Sequence, residues 1–170
     1  MKVTRWMKWS WVWLLMAFAV SACGVYTFKD ISIPADIKTV KVNFIENKAR
    51  LVNPRLSPAI TDRLQQKIVG QTKLTRTNNE DADWVISGAV TDYSVSTSGI
   101  SAQQASTNRL TVVVQISLRD NKLGKTSDYS VNKSFDFSAS KTLQQAESEL
   151  GEDLIKGITD EIFNRIFSNW

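Results

Sequence analysis

The chain is expected to form an α+β domain, a two-layer sandwich in which a four-stranded, mostly antiparallel sheet carries two helices on one face. Three observations predict it. Leu110, Val112, Val114, Ile116 and Leu118 alternate without a break, which is the period of a half-buried strand. Leu143, Leu150, Leu154, Ile158, Ile162 and Ile166 keep helical spacing, and Glu147, Glu149, Glu152, Asp153, Asp160 and Glu161 occupy much of the remaining circumference. The periodic segments follow one another as strand, helix, three strands, helix, and two layers bury every apolar stripe in that order.

Taken in turn, Lys38 to Phe44 alternates, with Val40, Val42 and Phe44 on one side, and reads as the first strand. Glu46 to Leu56 reads as a loop ending at Asn53-Pro54. Ser57 is expected to cap the first helix with Pro58 at its first position; Ile60, Leu64 and Ile68 form its single stripe, and Gly70 is its expected stop. After a polar turn over Asn78 to Asp83, Trp84 to Val95 reads as a long strand. Trp84, Ile86 and Val90 share a face, with Gly88 allowing close approach or a bulge. Tyr93 and Val95 fall on the opposite parity, so a register change is expected near Asp92. Ser96 to Thr107 is small and polar and reads as a long loop before the Leu110 strand. Asp120 to Lys125 is a turn, and Tyr129, Val131, Phe135 and Phe137 share one parity of the last strand. In the terminal helix, Gly151 and Gly157 weaken the helix locally unless packing needs them, and Phe163, Phe167 and Trp170 read as core or as an interface.

Before the first strand lies a segment with the grammar of an export signal. Lys2, Arg5 and Lys8 precede an apolar run from Trp9 to Val20, which is too short to span a bilayer. Residues 1–22 are therefore expected to be removed, leaving 23–170 as a single domain. Three of the 21 basic residues fall in the removed segment, so 18 Lys and Arg remain against 17 Asp and Glu. A near-neutral body lacks the clustered basic excess that nucleic-acid binding needs, and no nucleic-acid partner is expected. Cys23 is the only cysteine, so no internal disulfide can form.

Val20-Ser21-Ala22-Cys23 resembles the lipobox of bacterial lipoproteins, with valine where leucine is commonest. The resemblance implies cleavage between Ala22 and Cys23, a diacylglyceryl group on the Cys23 thiol and an acyl group on the new amino terminus. One acyl chain holds a protein only marginally, whereas two or three give stable anchoring. Gly24 is not the aspartate that retains some lipoproteins in the inner membrane, so sorting to the outer membrane is expected.

Catalytic chemistry has little to work with. Histidine is absent, and a lipidated Cys23 leaves no thiol nucleophile or soft metal ligand. There is no Gly-x-Ser-x-Gly elbow and no phosphate-cradling glycine loop. Asp81 and Asp83 suggest a carboxylate pair, but aspartates in a turn commonly bond the local backbone. The expected protein is not an enzyme and takes no cofactor or metal beyond the lipid on Cys23. Binding is the better reading. Ser96, Gly99, Ile100, Gln103 and Gln104 of the polar loop are candidate partner contacts. Arg109, Arg119, Lys122, Lys125 and Lys133 could meet phosphates or carboxylates, although solubilising or snorkelling side chains are the plainer reading. Lys133 stands out because it shares the parity of Val131 and Phe135.

Several short blocks, in order, resemble the LptE family of lipopolysaccharide-assembly lipoproteins. They are Cys23-Gly24-Val25-Tyr26-Thr27-Phe28 with Ser32-Ile33-Pro34, Val40-Lys41-Val42, Leu51-Val52-Asn53-Pro54, Ala82-Asp83-Trp84 leading to Gly88, Asn108-Arg109-Leu110-Thr111, and Ile162-Phe163 to Asn169-Trp170. The resemblance implies a four-stranded sheet with two helices on one face. It also implies a lipoprotein in the inner leaflet of the outer membrane that plugs an LptD-type β-barrel, assists its assembly and helps pass lipopolysaccharide to the cell surface. Some members of the family are thought to bind lipopolysaccharide through basic residues; the blocks do not align around Arg109 or Lys133 so as to carry that role across, and the two stand as candidate lipopolysaccharide contacts on their charge alone. A lipid-anchored pilotin or adaptor of another envelope complex is the alternative.

Overall fold

A computed structural model describes residues 33–101 and 104–168; the expected signal segment, Ala22, Cys23, Gln103 and Trp170 lie outside them. Strands β1 (Thr39–Val42) and β2 (Glu46–Asn47) lead to helix α1 (Leu56–Gln71), which is followed by β3 (Thr75–Arg76). Then come β4 (Trp84–Ser101), β5 (Gln104–Asp120), β6 (Lys125–Ser138) and helix α2 (Leu143–Phe167). The sheet is six-stranded and mixed, not four-stranded and mostly antiparallel: its order is β3-β1-β4-β5-β6, with β2 also paired to β4. β1 runs parallel to both β3 and β4, while β4-β5 and β5-β6 are antiparallel. The parallel half follows from α1, because a crossing helix returns the chain to the same end of the sheet.

Both helices bury their stripes on one face, in a single apolar cluster. It joins Ile60, Leu64 and Ile68 of α1, Leu154, Ile158, Ile162 and Phe163 of α2, and the alternating residues Leu110 to Leu118 of β5. At roughly 1.5 to 3 kcal/mol per buried large aliphatic or aromatic side chain, this cluster dominates the stability. Phe163 and Phe167 are core, with ring centroids 4.7 Å apart.

Local differences from the sequence reading have local causes. The first strand ends at Val42, so Phe44 is 57% exposed and Ile45 takes the core position. Buried Thr61 fixes that switch: its Oγ1 accepts the Ile45 amide at 3.0 Å and donates to the Ser57 carbonyl at 2.8 Å. The expected loop from Glu46 contains β2, which pairs with Ala89 and Val90. Ser57 is not the cap. α1 begins at Leu56 behind Arg55, whose amide donates to Asn53 Oδ1 at 3.0 Å, and Ser57 Oγ lies buried without a hydrogen-bond partner among the described residues. Nor does Gly70 stop the helix; Thr72 does, returning its amide (3.0 Å) and its hydroxyl (2.7 Å) to the Ile68 carbonyl. α2 opens with a capping box, in which Thr142 Oγ1 accepts the Gln145 amide and Gln145 Oε1 accepts the Thr142 amide.

The register change near Asp92 is present. Val90 pairs with Val114 and Asp92 with Val113, so Thr91 is an extra residue and both Val90 and Tyr93 face the core. Gly88 permits close approach, since a Cβ there would lie 2.6 Å from both the Gln115 carbonyl oxygen and Ile116 Cδ1. Gly88→Ala is therefore expected to destabilise by about 1 to 3 kcal/mol through overpacking. Urea unfolding of the two proteins measures it, and an unchanged midpoint would show that the strands slide apart at no cost.

Candidate functional site

Residues 96–101 and 104–107 are strand, not loop. β4 and β5 stay paired past Ser96↔Arg109 and Gly99↔Thr107 to Ser101↔Gln104, with register shifts on either side of Gly99. Backbone pairing explains this, because a ladder satisfies its own amides and carbonyls whatever side chains stand on it. Polar composition was therefore a poor guide to conformation here.

The hairpin outruns its neighbours. β6 ends at Ser138, opposite Thr107, and the β2 pairing ends at Val90. Beyond these points the hairpin is a two-stranded ribbon, and the outer edge of β4 from Asp92 onward has no paired strand among the described residues. Such an edge is a template for another chain. Ser96 is exposed and Ile100 is 76% exposed near the tip, while Gln104 is placed by its pairing to Ser101.

Arg109 and Lys133 are not brought together. Arg109 lies on the face away from the helices and grips Asp136 on the neighbouring strand, Nε to Oδ1 at 2.7 Å and Nη2 to Oδ2 at 2.9 Å. That pair raises the Arg109 pKa and lowers that of Asp136. Lys133 points to the helical side, where Nζ stands 3.4 Å from Glu161 Oε2, and Glu161 also accepts from Arg165. Its odd parity thus has a structural account, an ion pair tying β6 to α2.

Two polar clusters were not legible in the sequence. Tyr93, buried, donates its hydroxyl to Glu147 Oε1 at 2.6 Å, and Asn53 Nδ2 approaches the same hydroxyl at 3.5 Å. Burial, and then the Glu147 contact, push the phenol's pKa well above its ordinary value. The cluster lies in a cleft of about 660 Å³ between the start of α1 and α2, lined also by Arg55, Gly151 and Ile155. Tyr93→Phe is expected to cost about 1 kcal/mol, the net worth of one such bond. Thermal unfolding reads it, and an equal midpoint would show that the bond contributes nothing.

The second cluster corrects the reading of Asp81 and Asp83 as turn aspartates bonding their local backbone. Asp83 Oδ2 accepts the amides of Lys38 (2.7 Å) and Thr39 (2.9 Å), more than forty residues away, and so clamps the start of β1. Asp81 stays exposed. The Lys38 amide above all, then that of Thr39, hold the Asp83 pKa at about 2. Because the native pKa lies below the unfolded one, the contribution is complete above the ordinary carboxylate range and is lost as pH falls toward about 2. Asp83→Asn is expected to flatten stability between pH 4 and pH 2, relative to the parent, in acid titrations followed by circular dichroism. Parallel curves would show that the clamp does not titrate in this range.

Among the described residues no group of three or more His, Cys, Asp or Glu is placed to hold a metal, and no helix is long and apolar enough to cross a membrane.

A family model described as lipopolysaccharide-assembly, LptE, matches residues 37–166. No curated protein matches the chain by sequence. Among solved structures, the PelC dodecamer from Paraburkholderia phytofirmans is 15% identical with a TM-score of 0.50, over 83% of this chain and 96% of that one. The hypothetical protein CT253 from Chlamydia trachomatis is 13% identical with a TM-score of 0.51, over 76% and 95%. The rare lipoprotein B from Shewanella oneidensis is 16% identical with a TM-score of 0.44, over 74% and 89%. At these identities the first two likenesses speak for the fold alone.

Proposed function

The chain belongs to the LptE lipopolysaccharide-assembly family, and on that premise we propose that it is an outer-membrane lipoprotein that plugs an LptD-type β-barrel and assists its assembly. In this reading Cys23, cleaved from Ala22 and lipidated, holds the domain to the inner leaflet, and the complex takes part in delivering lipopolysaccharide to the outer leaflet. The activity is binding, not catalysis.

The observation that carries the reading is the β4-β5 ribbon. It offers an open strand edge and an exposed Ile100 beyond the helical layer, and strand edges recruit strands. Ser96, Gly99, Ile100, Gln103 and Gln104 are its proposed barrel contacts. Arg109 and Lys133 are proposed to reach lipopolysaccharide phosphates separately, since they occupy opposite faces of the sheet.

Affinity purification of the lipidated protein from detergent-solubilised membranes tests the assignment. The expected companion is a large β-barrel, with lipopolysaccharide carried along. Recovery of a secretin or another envelope complex would replace the barrel reading with a pilotin or adaptor role. Joint replacement of Arg109 and Lys133 by glutamate should lower lipopolysaccharide retention, and unchanged retention would remove both contacts.

A further inference from the structure

The end of the sheet opposite the ribbon is a compact, rigid platform. It gathers residues 33–38 leading into β1, residues 80–83 before β4, and the β5-β6 turn over 120–125. The Asn121 amide donates to the Asp83 carbonyl at 2.8 Å, and Asn121 Nδ2 reaches the Ala82 carbonyl at 2.6 Å. Lys122 Nζ bonds the Asp36 carbonyl and lies 3.4 Å from Asp83 Oδ1. Within the turn, buried Asp120 accepts the amides of Lys122 and Leu123 on one oxygen and Trp84 Nε1 on the other, all at 2.9 Å. Gly124, at φ 64°, closes it.

This frame holds Leu123 out in solvent, 73% exposed, between Lys122 and Lys125. A single exposed leucine is ordinary on a protein surface. Leu123 differs because a hydrogen-bonded scaffold fixes it outward, and because of what surrounds it. Lys38, Lys73 and Lys125 are exposed on the same end and form no ion pair among the described residues, and exposed Asp36 and Asp81 stand among them. A groove of about 620 Å³ there is lined by Ile33, Pro34, Ile37 and Leu74 together with Lys38 and Lys73. The described chain starts at this end, at Ile33, ten residues after Cys23. Those residues span at most about 35 Å.

We propose that this end is a membrane-facing surface. Leu123 enters the boundary between headgroups and acyl chains of the leaflet that holds the lipid, and Lys38, Lys73 and Lys125 meet anionic phospholipid headgroups. The proposal rests on Cys23 being lipidated for its place on the bilayer, while its chemistry is that of any apolar tip flanked by unpaired lysines. Each lysine near an anionic surface strengthens attachment about fivefold. In the free lipoprotein this orientation aims the β4-β5 ribbon away from the bilayer. The sheet from Trp84 to Ser101 spans about 55 Å at strand rise, so the tip would stand in the periplasm, where a barrel chain arrives before insertion.

The test uses the lipidated protein carrying Leu123→Cys, labelled with an environment-sensitive fluorophore. With Cys23 modified, residue 123 is its only free thiol. In vesicles of phosphatidylethanolamine and phosphatidylglycerol the emission should shift to the blue and be quenched by nitroxide-bearing lipids. It should return toward the aqueous value when Lys38, Lys73 and Lys125 are changed to glutamate, with circular dichroism confirming the fold. A label as water-exposed in vesicles as in solution overturns the proposal. A second arm uses the chain from residue 23 with Cys23→Ser, which has no lipid. It should sediment with those vesicles at least about fivefold more than with phosphatidylcholine, and Leu123→Ser should abolish the preference. Equal sedimentation of the Leu123→Ser protein overturns the surface, while a mass showing unmodified Cys23 in the mature protein overturns only the anchor and leaves this arm to decide.

Discussion

Replacing residues 98–107 by an Asn-Gly turn is expected to abolish recovery of the β-barrel while leaving the domain folded. Thr97 and Asn108 are direct partners in the ladder, so a two-residue turn joins them in the geometry that hairpins favour. None of the described residues of this segment belongs to the apolar core, and apart from β4-β5 pairing the losses are the Thr107↔Ser138 pairing with β6 and the Ala139 amide bond to the Ser106 carbonyl. The thermal midpoint should therefore move by only a few degrees. Barrel recovery should fall by at least about tenfold, the effect of losing one strong interface residue, because the outer part of the free β4 edge and Ile100 go together. Undiminished recovery from a folded, truncated protein would place the barrel contact elsewhere. Ile100→Asp on the intact ribbon separates side chain from edge: it should weaken capture if the side chain inserts into the partner, and leave it intact if main-chain pairing supplies the contact.

The largest effect on the fold itself is expected at Trp84. Its ring is buried against Phe167, centroids 5.9 Å apart, and Phe167 in turn stacks on Phe163 at the end of α2. Its Nε1 donates to Asp120, which also organises the β5-β6 turn. Trp84→Ala removes a large buried ring and takes one donor from a buried carboxylate, and should cost about 3 to 5 kcal/mol. That is a large part of the stability of an ordinary domain, so a population unfolded at 37 °C is expected. Trp84→Phe keeps most of the ring and removes only the donor, with a cost nearer 1 to 2 kcal/mol. Guanidinium unfolding of the three proteins orders them, and equal costs for phenylalanine and alanine would assign the effect to the Asp120 bond rather than to packing.

Legibility followed the range of the interaction. The uninterrupted alternation of Leu110 to Leu118 and the stripe from Leu154 to Ile166 announced β5 and α2, because burial on one face imposes a period on the residues that supply it. The parity change between Val90 and Tyr93 announced the bulge for the same reason. β2 and β3, two residues each, were invisible, since so short a strand has no period and exists only where a neighbour's edge receives it. The ribbon was misread as a loop because Ser, Thr and Gln on an uncovered hairpin leave no apolar pattern, although the backbone pairs regardless. For the candidate contacts, chain position was known but face was not: Arg109 and Lys133 were grouped by charge, and the sheet sends them to opposite sides with Asp136 and Glu161 as partners.

By itself the sequence determined the main apolar stripes of the core, the two long helices and the inner parts of the three long strands, and the likeness to the LptE family. Each rests on short-range periodicity or on ordered local blocks. Only the tertiary structure decided the mixed sheet, the clamp of Asp83 on β1, the Tyr93 to Glu147 bond, and the placing of exposed Leu123 and exposed Ile100 at opposite ends of the sheet. Those features join residues tens of positions apart, and their geometry depends on strand direction and register. Periodicity says which side of an element is buried; it does not say which element lies beside it.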